Sequence, residues 1–322
     1  MTAGIDPGCV RLRLGIDQGW VSDVDVASER PAVAQALRGR QADAAVRLVP
    51  LLFALCGKAQ GRAATLALEA ARGTEHPAHL DSAIRHEVLR EHLWRWLLDL
   101  PLLFGEAAMC DEFVVATRWT AGGQRDELGA LLAASQVEAL RRRLLEAEDA
   151  SDVEPRLLAA LDARTSLAAW PRLDADFCRV PHWQGAAAET GAIARQRGRA
   201  GVPAPAFVAR WLARLGELRD WAEGSKEVGA GGTASAAQVA PGIGRSLVET
   251  ARGLLMHEIV LDGDRIADYL IVAPTEWNFH PQGPLTRWLA GRDASDRDAL
   301  QTFAARAVAA LDPCVRWELD GL

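Results

Sequence analysis

The chain has 322 residues, 49% of them apolar and 25% charged, which sets it among globular proteins with core enough for one large domain or two ordinary ones. Its 36 Lys and Arg against 43 Asp and Glu leave a formal net charge of −7, and the longest basic cluster, Arg141-Arg142-Arg143, sits in a mixed-charge helical pattern, which excludes a nucleic-acid footprint. There is no run of about 18 apolar residues to span a membrane and no basic-then-apolar leader at the N-terminus, so the protein is expected in the cytoplasm, with its five scattered cysteines as free thiols.

Residues 10–16 alternate apolar with mostly basic side chains, Asp17-Gln18-Gly19 turns the chain, and residues 21–26 bring it back, which predicts an opening β-hairpin. Helical stretches are expected over 28–38 and 42–55, the second interrupted at Pro50, and over 60–72, with Cys56-Gly57 at the junction. Leu89, Leu93, Trp96, Leu97 and Leu100 recur at three- and four-residue spacing in a helix over 79–100 that ends at Pro101. Further helices are expected over 126–149, 153–164, 186–197 and 205–222, with a Pro- and Trp-containing loop over 165–185. Residues 224–244, rich in glycine, read as a flexible surface loop. Residues 247–250, 254–261 and 266–272, the last two joined at Asp262-Gly263, predict a small C-terminal sheet, and a helix over 300–311 leads into Asp312-Pro313-Cys314. The expected fold class is mainly α with small β elements, in one domain over residues 1–322.

A lone cysteine in a helical protein is usually a small buried hydrophobe, which is the reading for Cys110 and Cys178. Glu91-His92 reads as a buried polar pair. No His-x-x-x-His or Cys-x-x-Cys spacing predicts a zinc site, and the glycines at 229–232 lack the Lys-Ser/Thr of a phosphate loop.

Ala273-Pro274-Thr275-Glu276-Trp277-Asn278-Phe279, followed by Leu311-Asp312-Pro313-Cys314, resembles the end of nickel-iron hydrogenase large subunits, where Pro-Thr-Thr-Trp-Asn precedes Asp-Pro-Cys-x-x-Cys-x-x-His. Glu249-Thr250-Ala251-Arg252-Gly253 is similar to that family's Glu-Ala-Pro-Arg-Gly. Ala36-Leu37-Arg38-Gly39-Arg40 and Leu55-Cys56-Gly57-Lys58-Ala59 stand where its Leu-x-Gly-Arg and Arg-x-Cys-Gly-x-Cys segments stand. Pro181-His182-Trp183 with Glu189-Thr190-Gly191, and Glu91-His92, match more weakly. Cys56 and Cys314 fall on the first cysteine of each motif. The second, iron-bridging positions are Ala59 and Trp317, the motif histidines become Ala63 and Asp320, and Ile5-Asp6-Pro7-Gly8-Cys9 replaces Arg-Ile-Glu-Gly-His. This half-kept set, in a shortened relative of the large subunit, is similar to the HupK/HoxV family of hydrogenase expression and maturation proteins.

That resemblance implies a trimmed large-subunit fold and a protein that is not an enzyme, because a binuclear centre lacks its bridging thiolates. It implies a scaffold that holds an Fe(CN)2(CO) unit transiently, without nickel, and passes it to the hydrogenase large-subunit precursor, with HypC and HypD as partners. Cys56 and Cys314 would be the metal ligands and Cys9 a third thiolate. Arg252 and Thr275 would donate to cyanide nitrogens, and Asp312 would orient the Asp-Pro-Cys turn and bond Arg252. The chain stops at Leu322, close to where mature large subunits of that family end, so endoprotease processing is not expected. The alternative is a metal-free module that chaperones the precursor or the maturation complex.

Overall fold

The computed structural model describes residues 8–30, 33–53, 55–146, 156–161, 164–167, 170–197, 207–225 and 231–321. Strands β1 (Cys9–Asp17) and β2 (Trp20–Glu29) form the predicted hairpin, turned by Gln18 and Gly19 at positive φ. Val10, Leu12 and Leu14 alternate into the core. β8 (Arg316–Asp320) pairs parallel with the free edge of β1, Cys9 opposite Arg316, giving a three-stranded sheet in the order β2-β1-β8. The two ends of the chain are thereby joined.

A second, five-stranded antiparallel sheet runs β3 (His76–Leu80), β4 (Thr233–Ala240), β5 (Ile243–Glu249), β6 (Leu254–Asp262) and β7 (Arg265–Val272) in that spatial order. This corrects the flexible loop expected over 224–244. Residues 226–230 lie outside the described residues, but Thr233, Ala234, Ser235 and Ala236 are buried in β4, and Pro241-Gly242 is a hairpin turn into β5. The small residues that look like a linker are there for close packing. Helix α2 lies across the sheet so near that a Cβ on Gly244 would come within 2.1 Å of Ala67 O and Ala71 N, and Ser246 Oγ donates to Ala63 O at 2.8 Å.

The helices are α1 (Ala42–Leu52, with Pro50 inside), α2 (Gly57–Ala71), α3 (Ser82–Trp94), α4 (Leu100–Leu103), α5 (Cys110–Gly122), α6 (Arg125–Leu132), α7 (Ser135–Glu146), α8 (Ala175–Arg179), α9 (Ala192–Arg195), α10 (Phe207–Ala222), α11 (Pro274–Asn278), α12 (Pro284–Leu289) and α13 (Arg297–Leu311). Several expectations change. The helix expected from residue 79 begins only at Ser82, where Asp81 accepts from the N–H groups of Ala83 and Ile84, and it passes through one π-helical turn, Arg95–Asp99, into α4. The helix expected over 126–149 is two, broken at Ala133-Ala134; residues 147–149 lie outside the described residues. Over 156–161 the chain is not helical, and Leu157 bridges to Glu189. The helix expected over 28–38 is one 3-10 turn, Val33–Leu37, and that over 186–197 is α9 alone. None of the described helices is long and apolar enough to cross a membrane.

The largest core cluster lies where α3, the π turn, α10 and α13 pack on the first sheet, with Leu93, Leu97, Leu215, Ala307 and Leu311 against Val10 and Leu12. Trp96 donates its indole N–H to Trp211 O at 2.9 Å and meets that ring edge-on. The second sheet is covered by α1 and α2 on one side, and by Leu158, Leu161, Phe177 and Trp277 on the other. Gly244→Ala is therefore expected to cost about 3 kcal/mol in urea unfolding, because neither Ala67 nor Ala71 backbone can withdraw. Gly129→Ala, in α6 with its nearest neighbour 3.8 Å from the added methyl, is expected to stabilise by about 0.5–1 kcal/mol; equal effects of the two substitutions would contradict the helix-on-sheet packing.

Candidate functional site

Cys56 is the residue that caps the N-terminus of α2, and Glu87 from α3 completes that cap by accepting from the N–H groups of Lys58 at 3.0 Å and Ala59 at 3.1 Å. At the other end of the chain, α13 stops at Asp312, which holds a left-handed backbone at φ 57° immediately before Pro313. Cys314 follows, two residues before β8 locks onto β1. Helix end and strand start together fix its sulfur.

Arg30, at the end of β2, donates through Nη2 to Cys314 Sγ at 2.6 Å and pairs through Nε with Glu276 Oε1 at 2.7 Å. Thr275 Oγ1 lies 3.1 Å from the same sulfur. Cys56 has only Gln60 Nε2, at 3.7 Å. Burial, reinforced by the neighbouring Cys314, pushes its thiol up to about 12. Both cysteines line an outer cleft of about 1050 Å³, and both line a hole of about 20 Å³ behind it, which Arg252, Glu91 and Pro274 also bound.

Arg252 lies in the loop between β5 and β6 and pairs with Glu91 Oε2 at 3.1 Å and Asp312 Oδ1 at 3.2 Å. Arg95, from the π turn, reaches the same Asp312 oxygen at 2.8 Å. Burial alone would raise the Asp312 carboxyl, but Arg252, Arg95 and Arg214 outweigh it and hold the group well below the ordinary carboxylate range. Burial brings Arg214 down to about 10. The Arg252 loop is itself gripped: Asn278 Nδ2 donates to Arg252 O at 2.9 Å while its Oδ1 accepts from the Thr190 N–H at 3.0 Å. Gly253 and Gly191, both at positive φ, are the contact faces of these two loops, since a Cβ on Gly253 would lie 2.2 Å from Thr190 Cγ2 and one on Gly191 2.9 Å from Arg252 O.

The fold thus brings together Cys56, Cys314, Arg252, Thr275 and Asp312. Asp312 stands at the C-cap of α13 and forms an ion pair with Arg252, and Thr275 is engaged with the Cys314 sulfur. Cys9 is not at the site: it is buried on β1, donates to its neighbour Val10 O at 3.4 Å, lines neither cavity, and has Glu318, Arg316, Arg11 and Glu29 as its charged surroundings. Among the described residues no three His, Cys, Asp or Glu side chains are arranged to hold a metal ion; the thiols that share the cleft and the hole are Cys56 and Cys314. The reading of Cys110 and Cys178 as small buried hydrophobes fails for the first and holds in part for the second, which packs against the core around Phe177 and Trp277. Cys110 is exposed at the start of α5, and Cys178 lines the outer cleft, its thiol pushed up to about 12 by burial and then by Glu276.

Sequence reasoning missed Arg30, Arg95 and Glu276, and it did not connect Glu91 with Arg252. Glu91 and His92 are both buried, as expected, but do not face each other, since neighbours on a helix point apart. His92 meets Glu217 at 2.8 Å, in a buried network that continues through Arg195 to Glu249, whereas Glu91 turns to Arg252. Glu276 carried a signal, as a carboxylate where the resembled motif has threonine.

Fold and site together define a protein of the hydrogenase large-subunit-like class. Residues 206–316 match the family model described as nickel-dependent hydrogenase. The fold is shared with the [NiFeSe] hydrogenase of Desulfovibrio vulgaris Hildenborough (G491S variant; TM-score 0.58, 15% identity, 94% of each chain covered). It is shared equally with the reduced, active Ni-Fe-Se hydrogenase of Desulfomicrobium baculatum (TM-score 0.58, 14% identity, 94% and 95% covered). Within that class the chain belongs to the HoxV/HupK family of hydrogenase expression/formation proteins. It is 34% identical to hydrogenase expression/formation protein HoxV of Cupriavidus necator, with 92% of each chain covered, and 31% identical to HupK of Azotobacter vinelandii, over 97% of this chain and 98% of that one.

Asp312→Ala is expected to lower stability by about 3–5 kcal/mol, since it strands buried guanidinium charge. The depressed carboxyl contributes its full stability above the unfolded-state value near 3.9 and loses it as pH falls from there through the lower folded value. In thermal melts the gap between wild type and Asp312→Asn should therefore narrow below about pH 4; a gap that does not change with pH would contradict the assignment.

Proposed function

We propose that this protein is a non-catalytic scaffold in nickel-iron hydrogenase maturation, holding an Fe(CN)2(CO) unit at Cys56 and Cys314 and passing it to the hydrogenase large-subunit precursor, with HypC and HypD as maturation partners. The observation that carries this reading is the placement of two cysteines from opposite ends of the chain on the walls of the same cleft and the same small hole. Kinship with hydrogenase expression/formation proteins supports the maturation role.

The chemistry is that of an incomplete site. An iron that brings its own diatomic ligands needs few protein donors, and two thiolates suit it. Arg252, bounding the hole behind the thiols and held by Glu91 and Asp312, is the fixed donor available to a cyanide nitrogen. Thr275 serves the Cys314 sulfur instead. The bridging positions are occupied by Ala59, buried in α2, and Trp317, in β8, so no second metal has thiolates to share, and nickel is not expected. Cys56 must surrender its proton when metal binds.

Infrared spectra of protein made with the maturation machinery and purified anaerobically should show cyanide and carbonyl stretches that disappear in Cys56→Ala and Cys314→Ala. Absent bands with intact partners, together with unimpaired hydrogenase maturation in both variants, would replace this reading with that of a metal-free chaperone of the precursor.

A further inference from the structure

The Nε and Nη2 edge of an arginine carries two parallel N–H donors that match the two oxygens of one carboxylate. In Arg30 this fork is split. Nε lies 2.7 Å from Glu276 Oε1 as an ion pair, but its N–H is not aligned on that oxygen and has no hydrogen-bond acceptor; Ser28 Oγ reaches the same oxygen at 3.2 Å, while Nη2 lies 2.6 Å from Cys314 Sγ. The other Glu276 oxygen, Oε2, is buried and without a partner, on a side chain only 6% exposed. Buried carboxylate oxygens are rarely left so. Arg30, Glu276 and Cys314 all line the outer cleft, so the fork stands at the side from which anything bulky must approach the sulfur.

We propose that Arg30 and Glu276 are a positioning pair that gates the Cys314 sulfur, the Arg30 fork being split between sulfur and carboxylate while the sulfur is free and closed onto both Glu276 oxygens when the sulfur holds a thiophilic metal unit. This rests on the reading of Cys314 as a ligand. In closing, Nη2 leaves the sulfur for Oε2 and the Nε–H comes into line with Oε1, so that the two unpartnered groups are satisfied and the ion pair is kept throughout. A guanidinium resting on a sulfur lone pair opposes an arriving cation by both charge and bulk. Closing the fork removes both obstacles, and its return re-covers the sulfur as the cargo leaves. Neither residue needs to touch the metal.

The probe is Cd²⁺ bound to the full-length protein, followed by its sulfur-to-metal charge-transfer absorption during release into excess chelator. Glu276→Gln, which weakens the closed seat and leaves Arg30 to compete for the sulfur, should release Cd²⁺ about tenfold faster than wild type, the size expected for one charge-assisted contact. In an Arg30→Met background the same Glu276→Gln change should have no effect. An equal effect in both backgrounds would assign the result to the charge of Glu276 alone and overturn the gate, as would no effect in either. Crystal structures of the native protein with and without Cd²⁺ give a test independent of the variants: Nη2 should bond Oε2 in the first and Sγ in the second, and Nη2 still on Sγ with Cd²⁺ bound would also overturn it. Undiminished Cd²⁺ binding by Cys314→Ala would instead remove Cys314 as a ligand, and with it the underlying reading.

Discussion

The carboxylate of Asp312 is the point on which the site depends. It is buried at the last turn of α13 and compensated by guanidinium groups from the π turn, from the β5–β6 loop and from α10. Buried ion pairs add little net stability against an apolar alternative, because desolvation consumes the Coulombic gain. Their worth here is geometric. One anion ties together segments that are distant in sequence, sets Arg252 beside the hole behind Cys56 and Cys314, and places Cys314 two residues on through the turn at Pro313. The Gly191–Gly253 contact and the Asn278 bridge hold the same loop from its other side.

Around that fixed frame the site presents two thiols where the motifs it resembles have four. The two thiols stand in unlike surroundings: Cys314 receives a guanidinium and a hydroxyl, whereas Cys56, with Arg252 and Glu87 as charged surroundings, has one long amide contact. A site that binds a finished metal centre for good would present more donors and bury the metal behind them. This one opens on a cleft of about 1050 Å³, wide enough for another molecule to take part.

Much of this was legible in the sequence. The alternation of residues 10–16 and 21–26 gave the first hairpin, Asp262-Gly263 the β6–β7 turn, and the ordered motifs fixed Cys56, Arg252, Thr275, Asp312 and Cys314 as neighbours. What escaped was long-range. β3, β4 and β8 are short, or built of small and charged residues, so local pattern carries no strand signal; Gly244 is informative only once α2 is known to lie on it. Leu158 and Leu161 are spaced like helix residues but face a core from an irregular segment. Cys9 was drawn to the site by its position in a motif, while the β1–β8 register turns it away. Arg30 belongs to no motif and was invisible for that reason.

The parallel pairing of β1 with β8 sets residue 9 against residue 316, a contact across nearly the whole chain. Such closure is the slowest kind to form, since its entropy is lost before any local contact repays it. Until it forms, Cys314 has no fixed place, Arg30 has no sulfur to rest on, and the outer cleft has no far wall. The site is consequently an attribute of the completed fold alone: a nascent or partly unfolded chain carries the cysteines but not the cleft whose walls bring them together.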